Sequence, residues 1–233
     1  MHDPFYDLFP PPPEPEWRRG EVALVTIDMQ YMDAHPDGWM GRVARAAGKE
    51  DLLARRYAAI ERAMPQIRRL QDAFRAAGEE VLHVRIAYRT TDGREARQAH
   101  MPAPHEQGTP RDARDDEILE EVGPLGDELV FSKTSSSAFS TTDIERVLRN
   151  LGIRHLVCTG LVTEGCVELT ARDASDRGFR VTLVEDACCS STPEAHENAI
   201  QRMTDGGFIV AKSTDEALAI LSSLQSEAEL SVG

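Results

Sequence analysis

Apolar and polar positions along the chain follow two alternating periods. Residues 22–30, "VALVTIDMQ", form a nearly unbroken apolar run, the pattern of a strand covered on both faces. Leu52, Leu53, Ile60, Met64, Ile67, Leu70 and Phe74 recur near helical spacing, which predicts a helix over 51–77 with Gly78 as its stop. Strand patterns return at 80–88 ("EVLHVRIAY"), 128–133 ("ELVFSK"), 154–160 ("RHLVCTG"), 180–186 ("RVTLVED") and 207–212 ("GFIVAK"). Helical patterns separate them. They fall around 115–121, at 141–152, after residue 160, at 193–204 with proline early, where it is tolerated, and from 215 to about 224. Strands alternating with helices imply parallel pairing, so the expected fold class is α/β: a three-layer α/β/α sandwich with a mainly parallel central sheet.

Two stretches stand outside this alternation. Residues 1–20 read as an N-terminal arm, with Pro10 to Pro13 favouring polyproline II and Phe5, Tyr6, Leu8 and Phe9 able to dock on a surface. Residues 21–233 then form a single domain, since no repeat or linker divides them. The polar stretch from Arg89 to Arg114 is too long for an idle connection and reads as a lid or active-site loop.

Charge narrows the classes of partner. The chain carries 26 basic and 40 acidic residues, a net charge of −14, and that field repels nucleic acids and anionic membranes. Its four cysteines, Cys158, Cys166, Cys188 and Cys189, contain no CxxC pair, so neither a disulfide framework nor a thiolate zinc site is indicated. No cofactor is implied. No apolar run reaches the length of a membrane span, and the first residues hold acids and prolines where a signal peptide needs an apolar core. A cytoplasmic protein with reduced thiols is the expectation.

In open α/β sheets, ligands bind beyond the carboxyl ends of the strands. The first strand ends on Asp28, the third on Lys133, and the exit from the fourth delivers Cys166. A carboxylate, an ammonium and a thiol from three distant segments thus fall on one rim. Thr163 reads as the N-cap of a helix whose first turn holds Cys166, where the helix dipole and Lys133 favour thiolate. Two readings of Cys166 stay open at this level: an activated nucleophile, or a small buried hydrophobe.

The segments "VTIDMQ", "FSKTSSSAF", "GLVTEGCVELTARDASDRG" and "VTLVEDAC" together resemble the isochorismatase-like cysteine hydrolases. That superfamily includes nicotinamidases, N-carbamoylsarcosine amidase, ureidoacrylate amidohydrolase and biuret hydrolase. The resemblance runs over nearly the whole chain from residue 21. It implies C–N bond hydrolysis by an Asp–Lys–Cys triad at Asp28, Lys133 and Cys166, and a cis peptide between Leu161 and Val162. It also implies an oxyanion hole formed by the N–H groups of Val162 and Cys166, and a homo-oligomer, dimer or tetramer.

The Asp-x-His metal spacing usual in nicotinamidases is missing around His83, His100 and His105, so no metal is expected. True isochorismatases typically lack the cysteine. The resemblance is closest in character to biuret and ureidoacrylate hydrolases, which implies a small-molecule substrate, a linear ureide or carbamoyl amide. A ring-amide hydrolase of nicotinamidase type and a non-catalytic binding module on the same fold are the alternatives. Candidate substrate contacts are Gln30, Tyr31, Arg85, Thr163 and Glu164, with Arg89 as a second arginine that could clamp a carboxylate. Glu164–Gly165 departs from the family, where Asp or Asn and a bulkier residue more often precede the cysteine.

Overall fold

The computed structural model describes residue 8 and residues 16–96, 112–207 and 209–231, with side chains through residue 224. The aromatics Phe5, Tyr6 and Phe9, the proline run, His100 and His105 lie outside the described residues.

The elements in chain order are β1 (Val22–Ile27), α1 (Tyr31–Ala34), α2 (Trp39–Ala46), α3 (Ala54–Ala77), β2 (Glu80–Ile86), β3 (Val130–Lys133), α4 (Ala138–Thr141), α5 (Ile144–Asn150), β4 (His155–Leu161), α6 (Glu168–Asp176), β5 (Arg180–Cys189), α7 (Pro193–Thr204), β6 (Ile209–Lys212) and α8 (Thr214–Ser231). The six strands form one sheet in the order β3-β2-β1-β4-β5-β6, every pairing parallel. The chain steps outward from β1 through β2 to β3, then crosses to the other side of β1 and steps out again through β4, β5 and β6. The connections therefore diverge between β1 and β4, the point beyond whose carboxyl ends open α/β sheets bind ligands.

β1 is continuously apolar because alternate side chains enter two separate cores. Ala23, Val25 and Ile27 pack with Leu148, Ala171 and Ala199 on one face of the sheet. Val22 and Leu24 pack with Ile60, Ile67, Leu70 and Phe74 of α3 and Leu221 of α8 on the other. α3 stops where Gly78 adopts a left-handed φ of 71°, a conformation that glycine alone adopts without cost.

Local differences from the sequence pattern have physical causes. The helix predicted from 51 opens as a 3₁₀ turn over Glu50–Leu53, which leaves Leu52 exposed. The helix predicted over 141–152 divides into α4 and α5, and the one around 115–121 is two 3₁₀ turns, Ala113–Asp116 and Glu120–Val122. α1 and α2 carry too few turns, with Pro36 and Gly38 between them, to show a helical period. β5 runs on to Cys189, past a register shift opposite Cys158 and Gly160.

A half-buried ionic knot ties α3 to the start of β3. Arg75 donates to both oxygens of Glu128 at 2.7 and 2.9 Å, and His83 Nε2 and the Leu125 N–H reach the same carboxylate at 3.0 and 2.9 Å. Burial raises the Glu128 carboxyl, but these partners outweigh it and hold it at about 2, below its ordinary 4.5. The resulting stabilisation is present above the ordinary value and is lost as pH falls toward the folded one. Glu128→Gln is expected to cost roughly 1–3 kcal/mol at neutral pH and to flatten the acid limb of a stability–pH curve. Urea unfolding from pH 7 down into the acid range measures both.

Candidate active site

The register of β1 sets the first reactive group. Asp28 follows the last β1 residue, and its N–H still donates to the Val84 carbonyl at 2.8 Å. The backbone then turns through a φ of 53°, unusual outside glycine, and Asp28 is wholly buried. Lys133 closes β3 and is equally buried. Its Nζ donates to Asp28 Oδ2 at 2.8 Å, to the Ser135 carbonyl at 3.0 Å and to Cys166 Sγ at 3.3 Å. An ammonium has three N–H groups, and all three are engaged. The carboxylate, the amine and the sulfur thus share one centre.

Cys166 arrives by a route the sequence pattern did not show. After β4 the Leu161–Val162 peptide is cis. Residues Thr163–Val167 then make one wide turn of π spacing, and α6 begins only at Glu168. The N–H groups of Gly165 and Val167 both donate to the Val162 carbonyl, at 3.0 and 3.3 Å. Gly165 lies at φ −125° and ψ −106°, outside the helical region, and a Cβ there would stand 2.9 Å from Val162 Cγ2. Cys166 is therefore not in the first turn of an α-helix. Nor is Thr163 an N-cap: its buried hydroxyl pairs with His196 Nδ1 at 2.8 Å.

The electrostatics weigh against a second expectation, the thiolate. Burial pushes the Cys166 thiol up, Asp28 adds to the rise, and Lys133 offsets only part of it. Burial thus favours a resting thiol over a thiolate. Burial raises the Asp28 carboxyl as well, against the pull of Lys133. Burial works against the Lys133 charge, but Asp28 and Cys166 outweigh it and the amine is raised. The shifts of Asp28 and Lys133 pull in opposite senses for an ion pair. The 2.8 Å contact and the three engaged N–H groups favour a charged pair, in which Asp28 is a stronger base than an ordinary carboxylate. Asp28 Oδ1 is buried and has no hydrogen-bond partner among the described residues, so one acceptor is open beside the sulfur.

The remaining sequence candidates fall into different places. Gln30 is fully buried, and its amide is spent on backbone: Nε2 donates to the carbonyls of Ile86 and Asp115 at 2.9 Å each, and Oε1 accepts from the Ile86 N–H at 2.6 Å. It clamps the exit of β1 to the end of β2 instead of facing a ligand. Tyr31 stacks on His35 at 4.1 Å between centroids, with the Arg114 guanidinium 4.1 Å from its ring. Arg85 donates to Ser132 Oγ at 3.1 Å and to the Asp116 carbonyl at 2.9 Å, and Arg89 is exposed. His83 is held by Glu128, and burial lowers its pKa. Glu164 Oε2 is buried without a hydrogen-bond partner among the described residues. The other three cysteines are buried, and desolvation lifts the thiols of Cys158 and Cys189 to about 12. His196 and the Ser135 carbonyl were missed, since neither lies at a spacing that points to the site.

Among the described residues no cluster of three or more His, Cys, Asp or Glu side chains is arranged to hold a metal ion, and no helix is long and apolar enough to cross a membrane. The sequence profile of the isochorismatase domain matches residues 22–215. The chain belongs to the isochorismatase family. The ureidoacrylate amidohydrolase RutB of Variovorax paradoxus is 30% identical over 211 residues, which span 85% of this chain and 79% of that protein. An isochorismatase family protein from Desulfovibrio vulgaris superposes with a TM-score of 0.66 at 28% identity, covering 85% of this chain and 98% of that one. The N-carbamoylsarcosine amidase of Thermoplasma acidophilum shares the fold, with a TM-score of 0.62 at 24% identity over 84% of this chain and 97% of that one. The fold of this chain is thus shared within the isochorismatase family.

Proposed function

We propose that the protein is a cysteine-dependent amidohydrolase that cleaves a C–N bond of a small linear ureide or carbamoyl amide. The observation that carries this reading is the Lys133 Nζ contact with both Asp28 Oδ2 and Cys166 Sγ, at 2.8 and 3.3 Å. In this mechanism Asp28 Oδ1 takes the thiol proton as sulfur attacks the substrate carbonyl, so the thiolate exists only during attack. The backbone N–H groups of Val162 and Cys166 hold the oxyanion, each worth about 2.7–4 kcal/mol by analogy with other hydrolases. The tetrahedral adduct collapses with cleavage of the C–N bond, and the leaving nitrogen collects the proton from Asp28. Water then gives a proton to Asp28 and attacks the thioester carbon; the departing sulfur takes that proton back, and the free thiol is restored. Lys133 keeps its charge throughout and positions the acid and the sulfur.

A match to a relative named for ureidoacrylate hydrolysis supports the linear-amide class. A soluble cytoplasmic homo-oligomer belongs to the same proposal. Ammonia release from biuret, N-carbamoyl amino acids, ureidoacrylate analogues and nicotinamide tests the substrate class. Turnover of the linear compounds is expected. Activity confined to the ring amide, and abolished by a chelator, would overturn it.

A further inference from the structure

A second cleft lies beside the nucleophile loop, between α3 and the exit from β5. It encloses about 750 Å³ and is lined by Arg55, Arg62 and Gln66 of α3, Glu185 and Ser190 from β5 and its exit, and His196 of α7. Ala58, Ala59 and Ala63 occupy the same face of α3, and their short side chains are what leaves the space open.

Three charged groups of this cleft are unpaired among the described residues. Neither Arg55 nor Arg62 forms a hydrogen bond or ion pair among the described residues, and the same holds for Glu185. The other acid on the wall, Asp186, is spent on the start of α8, accepting from the Thr214 N–H and hydroxyl at 2.8 Å each. Ser190 is 4% exposed, and its hydroxyl is buried without a partner among the described residues. A buried hydroxyl without a partner at the wall of the cleft is open to a hydrogen bond from outside the chain. Arg56 is committed, to the Asp33 carbonyl at 3.2 Å and Ser191 Oγ at 3.3 Å.

Arg55 and Arg62 stand seven residues apart, so two turns of helix separate them by about 10 Å of rise and both stems leave the same face. Guanidinium groups pair bidentately with carboxylates, and a lone glutamate pairs with an ammonium. We propose that this cleft is a binding site for an acidic amino acid, whose two carboxylates engage Arg55 and Arg62 and whose ammonium faces Glu185. The Ser190 hydroxyl donates to one of the carboxylates. The site is separate from the reacting sulfur. It adjoins the same loop through the 2.8 Å His196–Thr163 hydrogen bond, three residues before Cys166.

Isothermal titration of the full chain with L-glutamate, glutarate and inorganic phosphate tests this. Saturable one-to-one binding of glutamate is expected, tighter than phosphate and weakened at least tenfold in the Arg55→Gln/Arg62→Gln variant. Glu185→Gln is expected to weaken glutamate severalfold and leave glutarate unchanged. All three positions are exposed, so these variants retain the fold, which a thermal melt checks. Absence of saturable glutamate binding, or binding that ignores the arginine substitutions, overturns the proposal. Cys166 is untouched and no turnover is read, so either result is independent of the hydrolytic reaction.

Discussion

Cys166→Ala is expected to lower turnover by about 10⁴–10⁶-fold while leaving a folded protein, since the proposed mechanism offers no substitute nucleophile. The fold survives because Cys166 is only partly buried at the edge of its core cluster. Loss of the sulfur frees one Lys133 N–H but leaves the Asp28–Lys133 pair and the Ser135 contact in place. Cys158→Ala is the matched control. That thiol is fully buried in β4, so its removal lowers stability through a small cavity and leaves turnover near wild type. Steady-state ammonia release with far-UV circular dichroism separates the two outcomes. A Cys166→Ala enzyme retaining a tenth of the wild-type rate would remove the sulfur from its role.

Much of this cluster was legible in the sequence because each of its three candidate residues closes or follows a strand-like run. Asp28 follows "VALVTI", Lys133 ends "ELVFSK", and Cys166 follows the exit of "RHLVCTG". In a parallel sheet those ends share one rim, so alternation of elements was enough to bring the three together. The same rule failed for Gln30 and Arg85. A polar side chain at a strand end serves equally well to satisfy backbone groups of a neighbouring loop, and periodicity carries no information on which role it takes.

The approach to Cys166 was misread for a different reason. "VTEGC" has the composition of a capped helix start, yet Gly165 permits a φ/ψ pair that lets the chain make a π-spaced turn before α6 begins. The thiolate expectation counted the pull of Lys133 and left out the desolvation that works against it. Sequence order identifies the charged neighbours of a thiol but not how much water is excluded around it. The extension of β5 to Cys189 was hidden likewise: Glu185 and Asp186 interrupt the apolar run, and pairing resumes beyond them at Cys188.

Gly160→Ala tests the frame on which the site stands. Gly160 pairs with Ile27 across β1 and β4, the two strands between which the connections diverge, at a φ of 114°. A Cβ at this position would lie 2.0 Å from the Ile27 carbonyl oxygen, 2.7 Å from its nitrogen and 2.8 Å from its carbonyl carbon. All three are backbone atoms in the middle of the sheet, so no side chain can swing aside, and one strand must move. Ile27 leads directly into Asp28, and Gly160 leads through Leu161 and Val162 toward Cys166. The displacement therefore reaches both Asp28 and Cys166. The variant is expected to lose about 3 kcal/mol or more of stability, or to fail to accumulate as folded protein. Gly178→Ala supplies the comparison: it carries a φ of 83° with open space where its Cβ would lie, so it bears the conformational cost alone, about 1 kcal/mol. Parallel urea melts of the two variants read the difference. Similar midpoints would show that β1 and β4 separate without penalty, and the close approach would then not be what holds Asp28 and Cys166 in register.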